Sequence, residues 1–373
     1  MNLRDFNKAP KFNPILCFFI GILIPTISFP FLFLNKTKIN NYLVEKKIFL
    51  QLRVYDPRTI DQIEEFSWFK PQNHHKINSK EDLNIQRKKL EEFIINRKIY
   101  STNVIEYWED EFYSSLSNLD RIDKFTFANS KNINSNAYLF LPKKSNNKLL
   151  IFHQGHGGDF KISYKTLEFF NAKGYHILAY QMPLKGTNQP IKNSKGVETR
   201  RHDSIIRFNK YKKSFISFFI TPVILGIDHL ENRYNFDSIS MMGISGGGWT
   251  TVMAAAVDMR IKSSFPIAGS LPLSLITNDL PDVEQSHVSI YQNFPYLDLY
   301  LLGSTGNNRK QIQISYDKDP CCFSGNRNLL YSDYIKKLSR QLNGDFTSVV
   351  QSNSDHKIIP STYKLIHTTI LLN

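Results

Sequence analysis

A serine at the apex of a glycine turn constrains this chain more than any other feature. The run Gly243-Ile244-Ser245-Gly246-Gly247-Gly248 follows a short apolar stretch (Ile239, Met241, Met242) and precedes an alanine-rich one, Thr250 to Val257. That order reads as strand, sharp turn and helix. A serine hydroxyl is a weak nucleophile until geometry and a neighbouring base activate it. Such an elbow exposes the hydroxyl at a helix N-terminus, where backbone N–H groups favour developing negative charge. Gly243 and Gly247 stand two residues either side of Ser245, where a tight turn brings backbones close together. Glycine and serine also make ordinary loops, so the flanking strand and helix carry the meaning of the motif.

A nucleophilic serine needs three further parts, and each has a candidate. Leu149-Leu150-Ile151-Phe152 is a short unbroken apolar run that reads as a buried strand. It ends in His153-Gln154-Gly155-His156-Gly157-Gly158, a loop whose main-chain N–H groups can face a substrate oxygen. The expected oxyanion-hole donors are the N–H of His156 and that of Gly246. Phe346 to Val350 reads as a late strand, and His356 follows it in a polar loop before an amphipathic C-terminal segment. An imidazole there suits a general base because it titrates near neutrality. Of the other histidines, His153 and His156 lie in the oxyanion loop; His74, His75 and His202 precede the elbow; His367 lies inside the last helix. Gln311 to Ser315 alternates as a strand and runs into Tyr316-Asp317-Lys318-Asp319-Pro320. Asp319, directly before proline, is the first choice for the acid that orients the imidazole, with Asp317 its rival.

The order Ser245, Asp319, His356 resembles that of the α/β-hydrolase superfamily, in its serine esterase and peptidase-like branch. Gly174-Tyr175-His176-Ile177-Leu178-Ala179-Tyr180 looks like the family's next strand after the first helix. Phe236-Asp237-Ser238-Ile239-Ser240 is similar to the run leading into its elbow strand. The resemblance covers roughly residues 136–373. It implies an α/β fold with a mostly parallel central sheet flanked by helices and a site at the C-terminal strand ends. Many relatives open the oxyanion loop with His-Gly where this chain has Gln154-Gly155; a main-chain donor survives that change.

Composition adds two constraints. The 373 residues carry a net charge of +14, but the lysines are scattered and no nucleic-acid module signature is present. Local basic clusters, such as Arg200-Arg201-His202, would favour an anionic membrane surface instead. Residues 15–34 contain no charge except at their flanks, where Arg4, Lys8 and Lys11 precede them and Lys36 and Lys38 follow. At 1.5 Å rise per residue, about 20 such residues match a bilayer core. The expectation is a single-pass N-terminal anchor over residues 1–35; the alternative is a cleaved signal and a secreted or periplasmic protein. Pro25 and Pro30 would bend that helix. The balanced flanks leave the orientation open. Cys17, Cys321 and Cys322 provide no disulfide framework, and the adjacent pair reads as packed beside the acid loop.

The domain expectation is an extension over residues 36–135 that packs on the core, then a catalytic domain over 136–373 with a helical cap inserted at about 270–309. Ser79 would cap a helix running to about Lys98. The functional expectation is a membrane-anchored serine hydrolase cleaving a carboxylic ester on a small molecule, lipid or glycan, with no metal or organic cofactor implied. A peptidase or acyltransferase on the same fold, or a binding module without catalysis, are the alternatives.

Overall fold

The structure, a computed structural model, describes residues 66–373 except 189, 211–213, 277–281, 322 and 324. The apolar run at 15–34, Cys17 and Cys322 therefore lie outside the described residues. No described helix is long and apolar enough to cross a membrane.

Helix α1 (Lys80–Ile94) begins with a reciprocal cap. Ser79 Oγ accepts from the Asp82 N–H, and Asp82 accepts from the Ser79 N–H, satisfying two donors that the first turn leaves orphaned. The helix ends at Ile94 rather than near Lys98, because Ile95 is already extended and the chain must turn into the first strand. Strands β1 (Tyr100–Ile105), β2 (Leu119–Asn129), β3 (Ser135–Pro142) and β4 (Lys148–His153) follow, then α2 (Tyr164–Ala172) and β5 (His176–Tyr180). Strands β6 (Ile191–Lys192) and β7 (Glu198–Arg200) pair only with each other. Helix α3 (Ser217–Glu231), β8 (Ser238–Ile244), α4 (Gly246–Val257) and β9 (Ile261–Ile267) form the middle of the domain. The last part contains the short α5 (Val283–Ser286) and α6 (Val288–Tyr291), then α7 (Tyr296–Ser304), β10 (Lys310–Tyr316), α8 (Leu329–Gln341), β11 (Asp345–Gln351) and α9 (Pro360–Leu371).

Nine strands make one sheet in the order β1-β2-β3-β5-β4-β8-β9-β10-β11. The first four are antiparallel neighbours. From β5 onward every pairing is parallel. Strand β4 shows why the sheet is covered on both faces. Leu149 and Ile151 enter one hydrophobic cluster and Leu150 and Phe152 the other, as a period of two requires. All four are fully buried, and each such side chain contributes about 1.5–3 kcal/mol on burial. The first cluster takes in α1, α3, α4, α7 and α8; the second takes in α2 and α9.

Two boundaries differ from the sequence reading. The sheet begins at Tyr100, so β1 and β2 extend the same sheet as β3 and the break expected at 136 falls inside it. The cap expected at 270–309 is also too long. Every residue of α7 is buried, and its side chains join those of α4 in the core. Only the stretch before it, with α5 and α6, is an insertion.

Helix α4 is held at its far end by two arginines. Arg309, almost wholly buried, donates to the carbonyls of Ala255, Asp258, Ile261, Leu302 and Thr305. Arg87 on α1 donates to those of Ala256 and Leu302. Burial lowers both guanidinium groups, to about 9 and about 10, so both stay charged at neutral pH. They supply partners to carbonyls that a helix C-terminus leaves unpaired.

Candidate active site

The parallel strands set where chemistry can occur, because their C-terminal ends lie along one edge of the sheet. Ser245 follows β8 at that edge, at the N-cap of α4, with φ 57° and ψ −127°. A positive φ is rare for serine and costs roughly 1–3 kcal/mol. The surrounding backbone imposes it. The Ser245 N–H donates to the Ile267 carbonyl (2.9 Å), and the Ser245 carbonyl accepts from Trp249 N–H (3.0 Å). The glycines flanking the elbow are required by close approach. A Cβ on Gly247 would stand 2.0 Å from the His153 carbonyl oxygen, and one on Gly243 would stand 2.2 Å from the Gly247 oxygen.

The loop after β4 passes directly over this elbow. A Cβ on Gly155 would lie 2.7 Å from Ser245 Cβ and 3.3 Å from its Oγ. The His156 ring lies against Gly246; a Cβ there would meet its Cε1 at 2.4 Å. Gly246 is the first residue of α4, so its N–H has no intrahelical acceptor. The two residues expected to donate to an oxyanion are therefore neighbours in space.

Asp319 and His356 meet at the ends of β10 and β11. His356 Nδ1 lies 2.7 Å and 2.9 Å from the two carboxylate oxygens of Asp319. Asp319 is fully buried, and its Oδ1 also accepts from the Cys321 N–H. Burial alone would lower the His356 pKa, but the hydrogen bond to Asp319 and its charge outweigh burial and raise it above 6.5. With Nδ1 committed to Asp319, Nε2 is left buried with no partner among the described residues. Asp317 has a different task. Its Oδ1 accepts from the Asn353 N–H, and its own N–H donates to the Gln351 carbonyl, so it ties the His356 loop to the end of β10.

Four other histidines are occupied elsewhere. His153 is buried in the sheet, and burial pushes its pKa down to about 4. His75 bonds the Ile77 carbonyl and the Tyr334 hydroxyl, His74 stacks on Phe69, and His367 in α9 bonds Tyr175. His202 differs from them. It reaches the site region from the segment after β7, within 3.5 Å of Glu284 in α5. Glu284 also meets His156 Nε2 at 2.8 Å, and Asp282 meets His156 Nδ1 at 3.2 Å. His156, His202 and the Asp282–Glu284 pair lie far from one another in the sequence, with no shared spacing, so nothing in the chain marks them as a group. A sequence reading that implies no metal passes over them.

No family model matches the chain, and no curated protein matches it in sequence. Solved structures do match in shape. An acetyl xylan esterase from Paenibacillus sp. R4 is 14% identical, with a TM-score of 0.55 over 81% of this chain and 98% of its own. Methylesterase BT1017 is 15% identical, with a TM-score of 0.59 over 85% of this chain and 68% of its own. Acetyl xylan esterase 1 from Thermoanaerobacterium sp. JW/SL YS485 is 15% identical, with a TM-score of 0.50 over 81% of this chain and 96% of its own. The likeness is one of architecture: this chain has the α/β-hydrolase fold.

Proposed function

We propose that this chain is a serine hydrolase acting on carboxylic esters. The observation that carries the reading is the Asp319–His356 pair, whose imidazole keeps an unpartnered Nε2 at the strand edge that bears the strained Ser245. In the proposed reaction Ser245 Oγ attacks the ester carbonyl while His356 Nε2 removes its proton. The oxygen that becomes negative is met by the N–H groups of His156 and Gly246, the stabilisation usually largest in acyl transfer. The tetrahedral intermediate collapses, the ester C–O bond breaks, and the leaving alkoxide takes the proton from His356. An acyl-serine remains. Water then attacks it with His356 again as base, releasing the acid and the free serine. Asp319 holds the imidazole in the Nδ1–H tautomer and balances its charge when it is protonated.

The esterases that share the fold bear names that refer to acetyl and methyl esters. Acetylated sugars and simple methyl esters are therefore the first substrates to offer. The experiment is a panel of such esters beside simple acyl esters of rising chain length. Turnover of none of them by the folded protein would sink the reading.

The pH profile follows from the imidazole. His356 must be neutral to accept a proton, and its raised pKa keeps it protonated to higher pH than a free imidazole. The expected kcat/KM therefore falls toward acid with an apparent midpoint above 6.5. A midpoint at or below that value removes His356 from the role of base.

The apolar run at 15–34 supports a membrane anchor ahead of the hydrolase domain. Deleting residues 1–35 is expected to move the protein from the membrane to the soluble fraction of a lysate with kcat unchanged. Continued sedimentation with membranes would place the attachment elsewhere.

A further inference from the structure

Beside the proposed nucleophile lies a second polar cluster that the ester chemistry does not use. His156, His202 and Glu284 each offer one ligand atom, and the three atoms lie within 4.8 Å of one another. They come from three separate segments: the loop after β4, the stretch after β7, and helix α5 of the insertion. Two of the polar atoms are weakly partnered. His202 Nε2 and Glu284 Oε2 are buried, make no close hydrogen bond among the described residues, and pair only with each other. The two atoms are 3.5 Å apart, on side chains 4% and 0% exposed. A buried imidazole nitrogen and a buried carboxylate oxygen joined only by so long a contact are poorly satisfied. Such a state is unusual unless something else completes the group.

The outer contacts point to what completes it. His202 Nδ1 lies 2.7 Å from the Pro183 carbonyl oxygen. That acceptor requires the proton on Nδ1, so Nε2 is the nitrogen that faces Glu284 and the one a metal would take in place of a proton. His156 Nδ1 lies 3.2 Å from Asp282 Oδ2 while its Nε2 faces Glu284. An imidazole that gives one N–H to a carbonyl or carboxylate and turns its other nitrogen inward is the arrangement that orients metal-bound histidine. Glu284 is itself held. The Tyr291 hydroxyl donates to its main-chain carbonyl, and Trp249 Nε1–H on α4 donates to that hydroxyl (2.7 Å).

We propose that His156, His202 and Glu284 bind one divalent transition-metal ion of the Zn²⁺ class. Two imidazole nitrogens and one carboxylate match the preference of that ion, at about 2.0–2.2 Å per bond. The ion would spread the three inner atoms slightly to take its place among them. Three protein ligands leave a fourth coordination position open. By clamping the His156 loop to the insertion, the ion also fixes the residue whose N–H is proposed to face the oxyanion. The binding claim itself is independent of the ester-hydrolase reading, and its test does not use turnover.

The test uses the full chain in detergent, stripped with a chelator and titrated with Zn²⁺ by calorimetry. Bound metal is then counted by elemental analysis, and a Co²⁺-loaded sample is read by its visible absorption. The wild type should bind one Zn²⁺ per chain and gain thermal stability from it. Asp282→Asn, which alters an outer partner, should weaken binding about ten- to a hundredfold. Glu284→Gln and His202→Ala should each weaken it by more than a hundredfold and abolish the Co²⁺ spectrum. Melting curves of the metal-free proteins show whether each variant is folded. Absence of stoichiometric Zn²⁺ in the wild type overturns the proposal whatever the variants do. So does undiminished binding by folded Glu284→Gln or His202→Ala. Either result leaves the cluster as a hydrogen-bonded His–Glu–His group.

Discussion

Replacing Ser245 by alanine is expected to leave a folded protein that takes no fluorophosphonate label and to cost on the order of 10⁶ in ester-hydrolysis kcat. The expected loss is large because in the proposed mechanism Ser245, His356 and Asp319 act as a unit: without Oγ there would be no acyl-enzyme, and His356 would have no proton to move. The fold should survive. The turn is dictated by Gly243, Gly247 and the backbone bonds of Ser245 to Ile267 and Trp249, none of which involves the hydroxyl. Alanine meets the same strain at φ 57° that serine does. The checks are probe labelling on a gel and a thermal melt. Undiminished labelling of the variant would show that the nucleophile is another residue.

Asp319→Asn is expected to lower kcat on the order of 10⁴, while Asp317→Asn changes it only a few-fold. The contrast is one of tautomers. The Asp319 carboxylate can only accept, so it draws the imidazole proton to Nδ1 and frees Nε2 as a base. A carboxamide can offer its NH₂ to Nδ1, which moves the ring proton to Nε2 and blocks proton removal from Ser245. Asp317 instead accepts one N–H, from Asn353, and its Asn variant keeps an oxygen able to do so. Initial rates across pH for both variants decide the matter. Equal losses would detach Asp319 from the reaction. A loss at Asp317 larger than at Asp319 would reverse their roles.

The parts of the fold that the sequence made legible are those where a single physical demand rules. Strands β4, β8, β10 and β11 lie in the parallel part of the sheet, so they appear as short apolar or alternating runs ending in polar loops. The elbow is readable because only glycine fits where Gly243 and Gly247 approach other backbone atoms. Strand β1 gives no such sign. As an edge strand with one paired side it is mostly exposed, and Tyr-Ser-Thr-Asn-Val-Ile has no strong pattern. Strand β2 is disguised by Asp123, buried at 1% exposure because Arg121 neutralises it and the Tyr107 N–H donates to it. Helix α7 resembles a cap in sequence because its aromatic and leucine residues have no polar face. That composition also suits a helix wedged between α4 and α8. The choice between Asp317 and Asp319 depended on where each side chain turned within one tight loop, which spacing does not encode.

The cluster of His156, His202 and Glu284 was illegible for a different reason. Its members belong to no common element, and tertiary packing alone assembles them. His202 looked like part of a basic surface patch, yet it is 5% exposed while Arg201 beside it faces solvent.

The two guanidinium groups beneath helix α4 have a mechanical consequence for the residue at its opposite tip. Seven donor–carbonyl links from Arg309 and Arg87 gather the ends of α4 and α7 and the start of β9 at one point. Axial slippage of the helix would have to strip several of those carbonyls from a buried cation at once. The height of Gly246 above the sheet is thus set from the floor of the molecule, at the end of α4 remote from the elbow.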